Sequence, residues 1–365
     1  MEYRTLPHGG EEIGVIGLGM GGIHHSSVPE IERIVRTALD AGVNYFDFVP
    51  SDAVAFEGYA KALKGQRERA MLQVHIGADY SSGNYGWTTD PKVSISQFEE
   101  RLKLLDTDYA DFGFIHCIDE DSDFDKVMNG PTWQWALKKR DEGVIRHLGF
   151  STHRVHIARR FLDTGVMDMG MLSLNPMYDY TDESAYGRGC TSERAELYKE
   201  FAAKGVGISV MKAFAGGQLL DAKASPFGRG LTTAQCIQYA LDKPGVLTVL
   251  PGVRSMADLE EALAFLDATP KERDYSVIGS FAAPADKGVC VYCNHCQPCP
   301  EGILIGEVNK YYDLTRMGDE MAANHYRELR HHATDCVHCG HCNKRCPFGV
   351  DQSRRMEEIA EYFGI

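Results

Sequence analysis

The feature of this sequence that most constrains its fold is a regular alternation of short apolar runs with longer amphipathic segments between residues 12 and 267. Short runs rich in β-branched and aromatic residues are typical of strands, and apolar residues three or four positions apart are typical of helices. The predicted strands are residues 12–19, 44–49, 70–77, 111–118, 144–151, 171–176, 207–214 and 247–253. The predicted helices lie near residues 29–41, 53–64, 94–106, 131–142, 154–165, 191–204, 232–242 and 255–267.

Eight strand and helix units in strict alternation predict an α/β fold with a parallel sheet closed into a (β/α)8 TIM barrel. An open, doubly wound sheet is the alternative, but evenly spread units favour closure. The first residues, with a turn at Gly9 and Gly10, would add a short hairpin outside the barrel. The alternation stops after residue 270. We therefore predict a barrel over residues 1–270, a linker over 271–285 and a small C-terminal domain over 286–365.

Cysteine dominates the small C-terminal domain. Eight of the eleven cysteines lie between residues 290 and 346, a clustering that favours metal over disulfides in a reducing compartment. The second group has the C-x2-C-x2-C-x3-C-P spacing of bacterial ferredoxins, and the first is one residue shorter before its last cysteine. We predict a helical, ferredoxin-like domain with two [4Fe–4S] clusters, and two structural zinc sites are the alternative. The predicted ligands are Cys290, Cys293, Cys296, Cys299, Cys336, Cys339, Cys342 and Cys346.

The two cysteine groups are expected to exchange one ligand. In two-cluster ferredoxins the fourth cysteine of each run ligates the other cluster. Cys299 would then serve the cluster of the second group, and Cys346 the cluster of the first. The remaining cysteines are interpreted as small apolar residues: Cys117, Cys190 and Cys236.

Charge and hydropathy argue against several classes of partner. The net charge of −14 disfavours a broad nucleic-acid or anionic-membrane surface. No apolar run approaches the roughly 18 residues that span a bilayer. The first residues also lack the basic and then apolar pattern of a signal peptide. We therefore expect a cytoplasmic protein without nucleic-acid or membrane partners.

The candidate catalytic residues stand at the ends of predicted strands, because catalytic groups of such barrels sit at the C-terminal ends of the strands. Asp47 lies toward the end of the second strand and Asp52 follows it, His75 lies on the third strand and His116 on the fourth. Asp47 lies in the apolar run VNYFDFVPSD, where a carboxylate is costly to bury unless it is paired. The alternatives are a solvated loop acid for Asp52 and a core histidine for His75.

Nearly the whole chain resembles the aldo/keto reductases, in particular the subgroup with a C-terminal ferredoxin-like domain that holds two [4Fe–4S] clusters. The motifs are weak individually but specific in this order and at these intervals. They are IGLGMGG (16–22), AGVNYFD (41–47), DYADFGFIHCID (108–119), EGVIRHLGFSTH (142–153), LSLNPM (172–177), VMKAFAGGQL (210–219) and LPGVRSMADLEEAL (250–263). The resemblance implies NADPH-dependent reduction of aldehydes and ketones by a tetrad of aspartate, tyrosine, lysine and histidine at the barrel mouth.

Two members of that tetrad are present and two are replaced. Asp47 matches the family aspartate and His116 the family histidine. Asp52 stands at the tyrosine position and His75 at the lysine position. In the family scheme the tyrosine protonates the nascent alkoxide, and the lysine, held by the aspartate, lowers the pKa of the tyrosine. An imidazole at position 75 can pair with Asp47 and still exchange protons. Two residues beyond the sixth strand are alternative sources of a phenol: Tyr178 and Tyr180.

The resemblance also implies an NADP(H) site. In the family the loop after the last strand and the start of its helix hold the 2′-phosphate, which indicates Arg254 and Ser255. A surface arginine is the alternative for Arg254. The segment GLGMGG lacks the G-x-G-x-x-G spacing, so tight turning explains its glycines. The other implied contacts are Lys212 and Gly217 at the pyrophosphate, and Ser151 and Asn175 at the nicotinamide amide.

These observations together predict an iron–sulfur oxidoreductase that acts with NADP(H) on a small carbonyl or hydroxyl compound through an altered tetrad. A second hypothesis is a barrel enzyme of acid/base type, catalysing elimination or isomerisation without NADPH. A third is a non-catalytic electron-transfer protein that docks a redox partner protein.

Overall fold

The computed structural model describes residues 1–49, 53–180, 191–275, 277–278, 290, 296–316, 320–346 and 349–365. These residues form two compact units. The first unit comprises Met1–Asn175, Ala195–Phe214 and Thr232–Tyr275, and the second comprises Pro176–Arg194, Ala215–Leu231 and Ser276–Ile365. The predicted domain limits at residues 270 and 285 stay predictions.

The predicted N-terminal hairpin is present. Strand β1 (Tyr3–Thr5) pairs antiparallel with β2 (Glu12–Gly14). The connecting turn is closed by the Gly10 backbone N–H, which donates to the Leu6 carbonyl at 2.8 Å, and Gly10 adopts a φ of 88°. This left-handed conformation favours glycine, which explains the glycine at position 10.

The remaining strands build the core of the first unit. Eight of them form one parallel sheet in the order β3-β4-β5-β8-β9-β10-β11-β12, while β6 and β7 form a separate antiparallel hairpin. Their bounds are β3 (Leu18–Gly19), β4 (Tyr45–Phe48), β5 (Met71–Ile76), β6 (Ala78–Asp79), β7 (Gly86–Trp87), β8 (Ala110–Ile115), β9 (Ile145–Thr152), β10 (Met169–Ser173), β11 (Gly207–Met211) and β12 (Val246–Val249).

The sheet closes on itself. Ile16 forms a parallel bridge with Val249. The Gly17 N–H donates to the Val249 carbonyl at 2.9 Å, and the Val249 N–H donates to the Val15 carbonyl at 2.9 Å. The open-sheet alternative is therefore wrong, and the predicted barrel is confirmed. The predicted first strand, residues 12–19, is divided because its first part leaves the barrel to pair with β1.

The helices of the described residues follow the predicted alternation closely. Their bounds are α1 (Val28–Asp40), α2 (Ala53–Leu63), α3 (Pro91–Leu104), α4 (Asp121–Met128), α5 (Pro131–Asp141), α6 (Val155–Asp163), α7 (Pro176–Tyr180), α8 (Thr191–Ala203), α9 (Thr233–Leu241), α10 (Met256–Leu263), α11 (Pro270–Arg273), α12 (Ile305–Arg316), α13 (Glu320–Arg327), α14 (His341–Arg345) and α15 (Gln352–Phe363). Within these ranges, no helix has both the length and the apolarity needed to cross a membrane.

Helix α4 was not predicted, because its sequence, DSDFDKVM, is dominated by acids. Its first turn carries Asp121 and Asp123, which suit the positive end of a helix dipole. Phe124 then packs edge-on against Phe161, with ring centroids 4.7 Å apart. A tertiary contact therefore stabilises a segment whose local sequence resembles a loop.

Aromatic and thioether side chains fill the barrel interior. Tyr45, Phe112 and Phe114 are fully buried, with the rings of Tyr45 and Phe112 5.3 Å apart. Leu6 and Ile13 of the hairpin belong to the same apolar cluster. The interior is thus a packed core, and its polar residues are exceptions that need partners.

One such exception is Asp111, the second residue of β8, which joins three segments. It is 4% exposed. Arg67 and Arg146 donate to its carboxylate at 2.8 and 2.9 Å, and the Leu72 N–H donates to it at 2.9 Å. Both guanidinium groups also lie over the ring of Tyr109, 3.9 and 4.2 Å from its centroid.

We expect Asp111→Ala to lower the free energy of unfolding by about 3 kcal/mol, since it leaves a buried N–H and two guanidinium groups without their shared acceptor. Urea unfolding followed by far-ultraviolet circular dichroism measures the change. The control is Asp108→Ala, an exposed aspartate three residues earlier, for which we expect a change below about 0.5 kcal/mol. Equal effects of the two substitutions would contradict the role given to Asp111.

The second unit is built by helices α12, α13 and α15. The Asn309 side-chain amide of α12 donates to the Gln352 side chain of α15 at 2.8 Å. The rings of Tyr326 and Phe363 stack with centroids 3.9 Å apart. The Tyr326 hydroxyl accepts from the Ala333 N–H at 3.0 Å, which ties the segment before Cys336 to these helices. A small helical frame thus holds the second cysteine group.

Candidate functional site

Asp47 is the next-to-last residue of the buried strand β4, and its carboxylate is paired. Asp47 Oδ1 lies 2.7 Å from His75 Nε2 and accepts from the Gln73 side-chain amide at 2.6 Å. Asp47 is 6% exposed, and both partners are fully buried. Because a carboxylate can only accept hydrogen bonds here, His75 donates its Nε2 hydrogen to Asp47. These hydrogen bonds offset the free-energy cost of burying a carboxylate in an apolar strand.

Gln73 was not predicted as a site residue, and the interior of the barrel fixes its orientation. The Tyr45 hydroxyl donates to its side-chain oxygen, and the Ser209 hydroxyl also donates to it at 3.3 Å. Burial, and then the charge of Asp47, raises the pKa of Tyr45 well above its usual value, so Tyr45 stays a donor. With its oxygen occupied, Gln73 turns its NH2 group toward Asp47. A glutamine inside an apolar strand is the only signal of this role in the sequence.

A second buried histidine extends the arrangement. Nδ1 of His116, just after β8, lies 3.0 Å from Nδ1 of His75, and the rings meet edge-on with centroids 4.5 Å apart. One of these two nitrogens must therefore carry the hydrogen and the other accept it. We call these two residues the histidine pair. The Ser151 hydroxyl lies 3.4 Å from His116 Nδ1 and accepts from the Cys117 N–H at 2.8 Å.

Tyr85 occupies the other side of His116, and sequence reasoning missed it. Its hydroxyl lies 2.7 Å from His116 Nε2, and the two rings are perpendicular. Tyr85 stands directly before β7 on the β6–β7 hairpin. The turn sequence SSGNYGW is the signal that could have predicted this hairpin.

The structure thus brings together three of the four predicted catalytic residues. Asp52 lies outside the described residues, and its role stays a prediction. Tyr178, proposed as an alternative phenol, belongs to the second unit, where the Lys310 ammonium lies 3.7 Å from its ring centroid. The side chain of Tyr180 lies outside the described part of the chain.

Hydrogen bonds also fix the loops after β8 and β9. Asp119 accepts from the Thr152 hydroxyl at 2.9 Å and from the His153 N–H at 2.7 Å. The Asp119 carboxylate lies 2.8 Å from His153 Nδ1. Burial, and then the charge of Asp119, raises the pKa of Cys117 well above that of a free thiol. Cys117 therefore stays a neutral side chain, as its interpretation from sequence requires.

The residues proposed for the nucleotide are distributed over both units. The Asn175 side chain donates to the Lys212 carbonyl at 2.8 Å, and Lys212 itself adopts a φ of 57°. Gly217, with a φ of 93°, lies in the second unit in the turn Ala215–Gly217. A left-handed backbone at Gly217 explains the glycine there.

At the start of α10 part of the backbone is already hydrogen-bonded. The Ser255 hydroxyl caps the helix by accepting from the Asp258 N–H at 3.3 Å. The Asp258 carboxylate in turn accepts from the Arg254 N–H at 2.8 Å. The Arg254 side chain is exposed. Of the donors of Arg254, the guanidinium is therefore the one available to an anion, because its backbone N–H is bonded to Asp258.

The cysteines of the second unit converge on a cavity. Cys299, Cys336, Cys339 and Cys342 line it together. Burial raises the pKa of Cys336, and the neighbouring Cys299 and Cys339 add to the rise. Ionising four neighbouring thiols is unfavourable without a cation, because the thiolate charges repel one another. Iron bound to the thiolates offsets this repulsion.

The other described cysteines of the module lie near α15. The Val350 N–H lies 3.4 Å from Cys346 Sγ, and the Gln352 side-chain nitrogen lies 3.6 Å from Cys290 Sγ. Cys296 is buried. Cys293 lies outside the described residues. Five cysteines of the module are free thiols, in agreement with a metal-binding module: Cys299, Cys336, Cys339, Cys342 and Cys346.

Comparison with known proteins identifies the barrel. The model of the aldo/keto reductase family matches residues 15–233, more than half of the chain. The chain belongs to the aldo/keto reductase family. A second family model, the 4Fe-4S dicluster domain, matches residues 289–351 of this aldo/keto reductase. The predicted family and the predicted ferredoxin-like iron–sulfur domain are therefore confirmed, and the zinc alternative is not favoured.

Individual relatives of this aldo/keto reductase are distant. An uncharacterized oxidoreductase of Bacillus subtilis, YqkF, is 22% identical over 287 residues, which cover 73% of this chain and 92% of that protein. The L-glyceraldehyde 3-phosphate reductase of Escherichia coli is 25% identical over 139 residues, which cover 35% of this chain and 40% of that protein. The match to the reductase thus spans less than half of its length. The expectation of an oxidoreductase is confirmed at the level of the family, and the alternative functions are not favoured.

Solved structures agree on the fold. The aldo-keto reductase AKR11C1 of Bacillus halodurans in its holo form has a TM-score of 0.63 at 22% identity, covering 76% of this chain and 95% of that one. An aldo/keto reductase of Klebsiella pneumoniae in complex with NADP and acetate has a TM-score of 0.52 at 18% identity, covering 74% and 92%. At these identities the likeness establishes the barrel alone.

Proposed function

We propose that this protein is an NADP(H)-dependent oxidoreductase that interconverts small carbonyl and hydroxyl compounds at the mouth of the barrel. The observation that carries the proposal is the hydrogen-bonded set of Asp47 and the histidine pair at the C-terminal ends of β4, β5 and β8. A reductase has to hold a proton next to the reacting oxygen. Two linked imidazoles oriented by a buried carboxylate can do so.

In this proposal NADPH supplies the hydride. Asp47 fixes His75 in the orientation in which its Nε2 hydrogen points at the carboxylate, and Gln73 holds Asp47 in place. His75 Nδ1 then faces His116 Nδ1, so a proton can pass between the rings. Ser151 and Asn175 remain proposed contacts of the nicotinamide amide, and Lys212 and Gly217 of the pyrophosphate.

The proposed 2′-phosphate contact is the Arg254 guanidinium at the start of α10. The donor set fits a phosphate through this side chain and the N-terminus of the helix capped by Ser255. Asp258 opposes it with a negative charge, so the guanidinium has to supply most of the attraction. An arginine that contacts phosphate through charge-assisted hydrogen bonds distinguishes NADPH from NADH.

We therefore expect Arg254→Ala to raise the Kd of NADPH about tenfold, as the loss of one charge-assisted hydrogen bond predicts, and to leave the Kd of NADH nearly unchanged. Isothermal titration calorimetry under anaerobic conditions measures both constants. The control is Arg33→Ala, an exposed arginine of α1. The absence of any NADPH binding to the wild-type protein at millimolar concentration would refute the nicotinamide proposal itself.

For the second unit we propose two [4Fe–4S] clusters that pass electrons to or from a redox partner protein. The shared cavity supports Cys299 as the fourth ligand of the cluster of Cys336, Cys339 and Cys342. The first cluster would take the remaining ligands: Cys290, Cys293, Cys296 and Cys346. Anaerobic purification should give about eight iron and eight sulfide per chain. About two zinc per chain would contradict the proposal. A cytoplasmic location remains part of the proposal.

A further inference from the structure

We propose that Tyr85 is the proton donor of this enzyme, supplied by the β6–β7 hairpin at the end of a relay that runs from Asp47 through the histidine pair. The inference rests on the function proposed above and assigns the acid of that same site. Its structural basis is continuous contact. Successive heavy-atom distances along the relay are 2.7, 3.0 and 2.7 Å.

The relay replaces two groups that the family tetrad would supply. The resemblance places Asp52 where the family has its phenol and His75 where it has its lysine. Tyr85 restores a phenol from a different segment. His75 restores a group that holds a proton against Asp47, as an ammonium would. Tyr85 and the buried histidine pair would therefore replace the tyrosine and lysine of the family tetrad.

Counting hydrogens along the relay defines its active state. The His75 Nε2 hydrogen is committed to Asp47. If the histidine pair carries one extra proton, the His75 Nδ1 hydrogen is donated to His116 Nδ1, and the His116 Nε2 hydrogen is donated to the Tyr85 oxygen. In this state Tyr85 no longer donates to His116, and it can donate its hydrogen to a substrate oxygen. Without the extra proton, Tyr85 donates its own hydrogen to His116 and cannot act as the acid.

The transfer balances as follows. Hydride delivery to the carbonyl carbon leaves the electron pair of the carbonyl π bond on oxygen, and this oxygen takes the hydrogen of Tyr85. The Tyr85 oxygen takes the Nε2 hydrogen of His116, and His116 Nδ1 takes the Nδ1 hydrogen of His75. The products are an alcohol and a neutral histidine pair, with Asp47 still ionised. One proton from water then restores the pair through Tyr85.

The hairpin is anchored well enough to present Tyr85 in one place. The Thr88 N–H donates to the Gly77 carbonyl at 2.7 Å, and buried Arg101 donates to the Ala78 carbonyl at 3.0 Å. Burial lowers the pKa of Arg101 to about 10, and Tyr85 is among the groups that oppose this decrease. Arg101 therefore stays charged at neutral pH. The ionisable groups near Tyr85 in the described part of the chain include His116 and Arg101.

The test compares wild type, Tyr85→Phe and a matched control, Tyr80→Phe, which removes the same atom from the same hairpin. With NADPH and a panel of small aldehydes, including 4-nitrobenzaldehyde and glyceraldehyde, we expect Tyr85→Phe to lower kcat about 100- to 1,000-fold. We expect an unchanged Kd for NADPH and the loss of the pH dependence that the relay imposes on kcat. Tyr80→Phe should match wild type.

A readout without nucleotide accompanies these rates. In the protein labelled with nitrogen-15 at histidine, Tyr85→Phe should change the Nε2 resonance of His116, while Tyr80→Phe should not. If Tyr85→Phe does not fold, 3-fluorotyrosine at position 85 replaces it. The pH-dependent limb in the plot of kcat against pH should then move toward lower pH, because the fluorinated phenol is more acidic. Wild-type kcat and pH profile in Tyr85→Phe, or an unmoved limb with 3-fluorotyrosine, would overturn the inference. A wild-type protein that binds no NADPH, or reduces no aldehyde, would overturn the proposed function and the inference with it.

Discussion

Replacing Asp47 with asparagine is expected to lower kcat by between about 100- and 10,000-fold while the protein remains folded. The carboxylate is the acceptor for His75 Nε2. An asparagine can present its NH2 group there, which places the His75 hydrogen on Nδ1, toward His116, and leaves no carboxylate to stabilise an extra proton on the histidine pair. Loss of the orienting carboxylate beside a catalytic imidazole has effects of this size.

Anaerobic steady-state rates with NADPH and an active aldehyde measure the change, and circular dichroism reports on folding. Asp108→Asn provides the control, because it makes the same chemical change at an exposed site. The Kd of NADPH should stay within about twofold for both variants, since neither alters a proposed nucleotide contact. A folded Asp47→Asn protein with wild-type kcat would show that the carboxylate serves only the packing of the barrel.

Alanine at Cys299 is expected to remove one cluster and leave the other. Cys299 lines the same cavity as Cys336, Cys339 and Cys342, although it belongs to the first sequence motif. Loss of one thiolate leaves three ligands for a cluster that needs four. We expect iron to fall from about eight to about four per chain, with a matching loss of absorbance in the thiolate-to-iron charge-transfer bands.

A double substitution separates crossed from uncrossed ligation. If Cys299 and Cys342 hold the same cluster, the double alanine variant keeps the same iron, about four per chain, as either single variant. If they hold different clusters, the double variant keeps almost none. Cys236→Ala serves as the control, because burial in α9 raises the pKa of that thiol to about 12 and it lies in the first unit. Nearly full iron in Cys299→Ala would contradict its assignment as a ligand.

The sequence was sufficient for the barrel and for part of the site, because both depend on periodic or local patterns. Strict alternation of strands and helices leaves closure as the favoured solution, and closure brings the strand ends that carry Asp47, His75 and His116 together. The cap of α10 was also within reach of local reasoning. The segment Ser255-x-x-Asp258 is a capping pattern, and it predicts the hydrogen bond from the Asp258 N–H to the Ser255 hydroxyl.

The contacts that the sequence did not predict join residues distant along the chain or depend on loop conformation. Gln73 owes its orientation to Ser209, which is 136 positions away. No periodic pattern of apolar residues predicts a contact between side chains so far apart in sequence. Tyr85 reaches His116 only because a short hairpin turns back over the barrel mouth, and its strands are two residues long. Strands of this length lie below what alternation of apolar residues can identify.

Because of the β6–β7 hairpin, the residue that donates the proton lies on a different segment from the residues that pack the barrel. Asp47 and the histidine pair belong to β4, β5 and β8 or directly follow them, so changes there disturb the barrel's own packing. Tyr85 belongs to an insertion between β5 and α3, outside the eight-stranded sheet. The acid strength and reach of the active site can therefore diverge during evolution through the hairpin alone, while the scaffold that stores the proton is inherited unchanged.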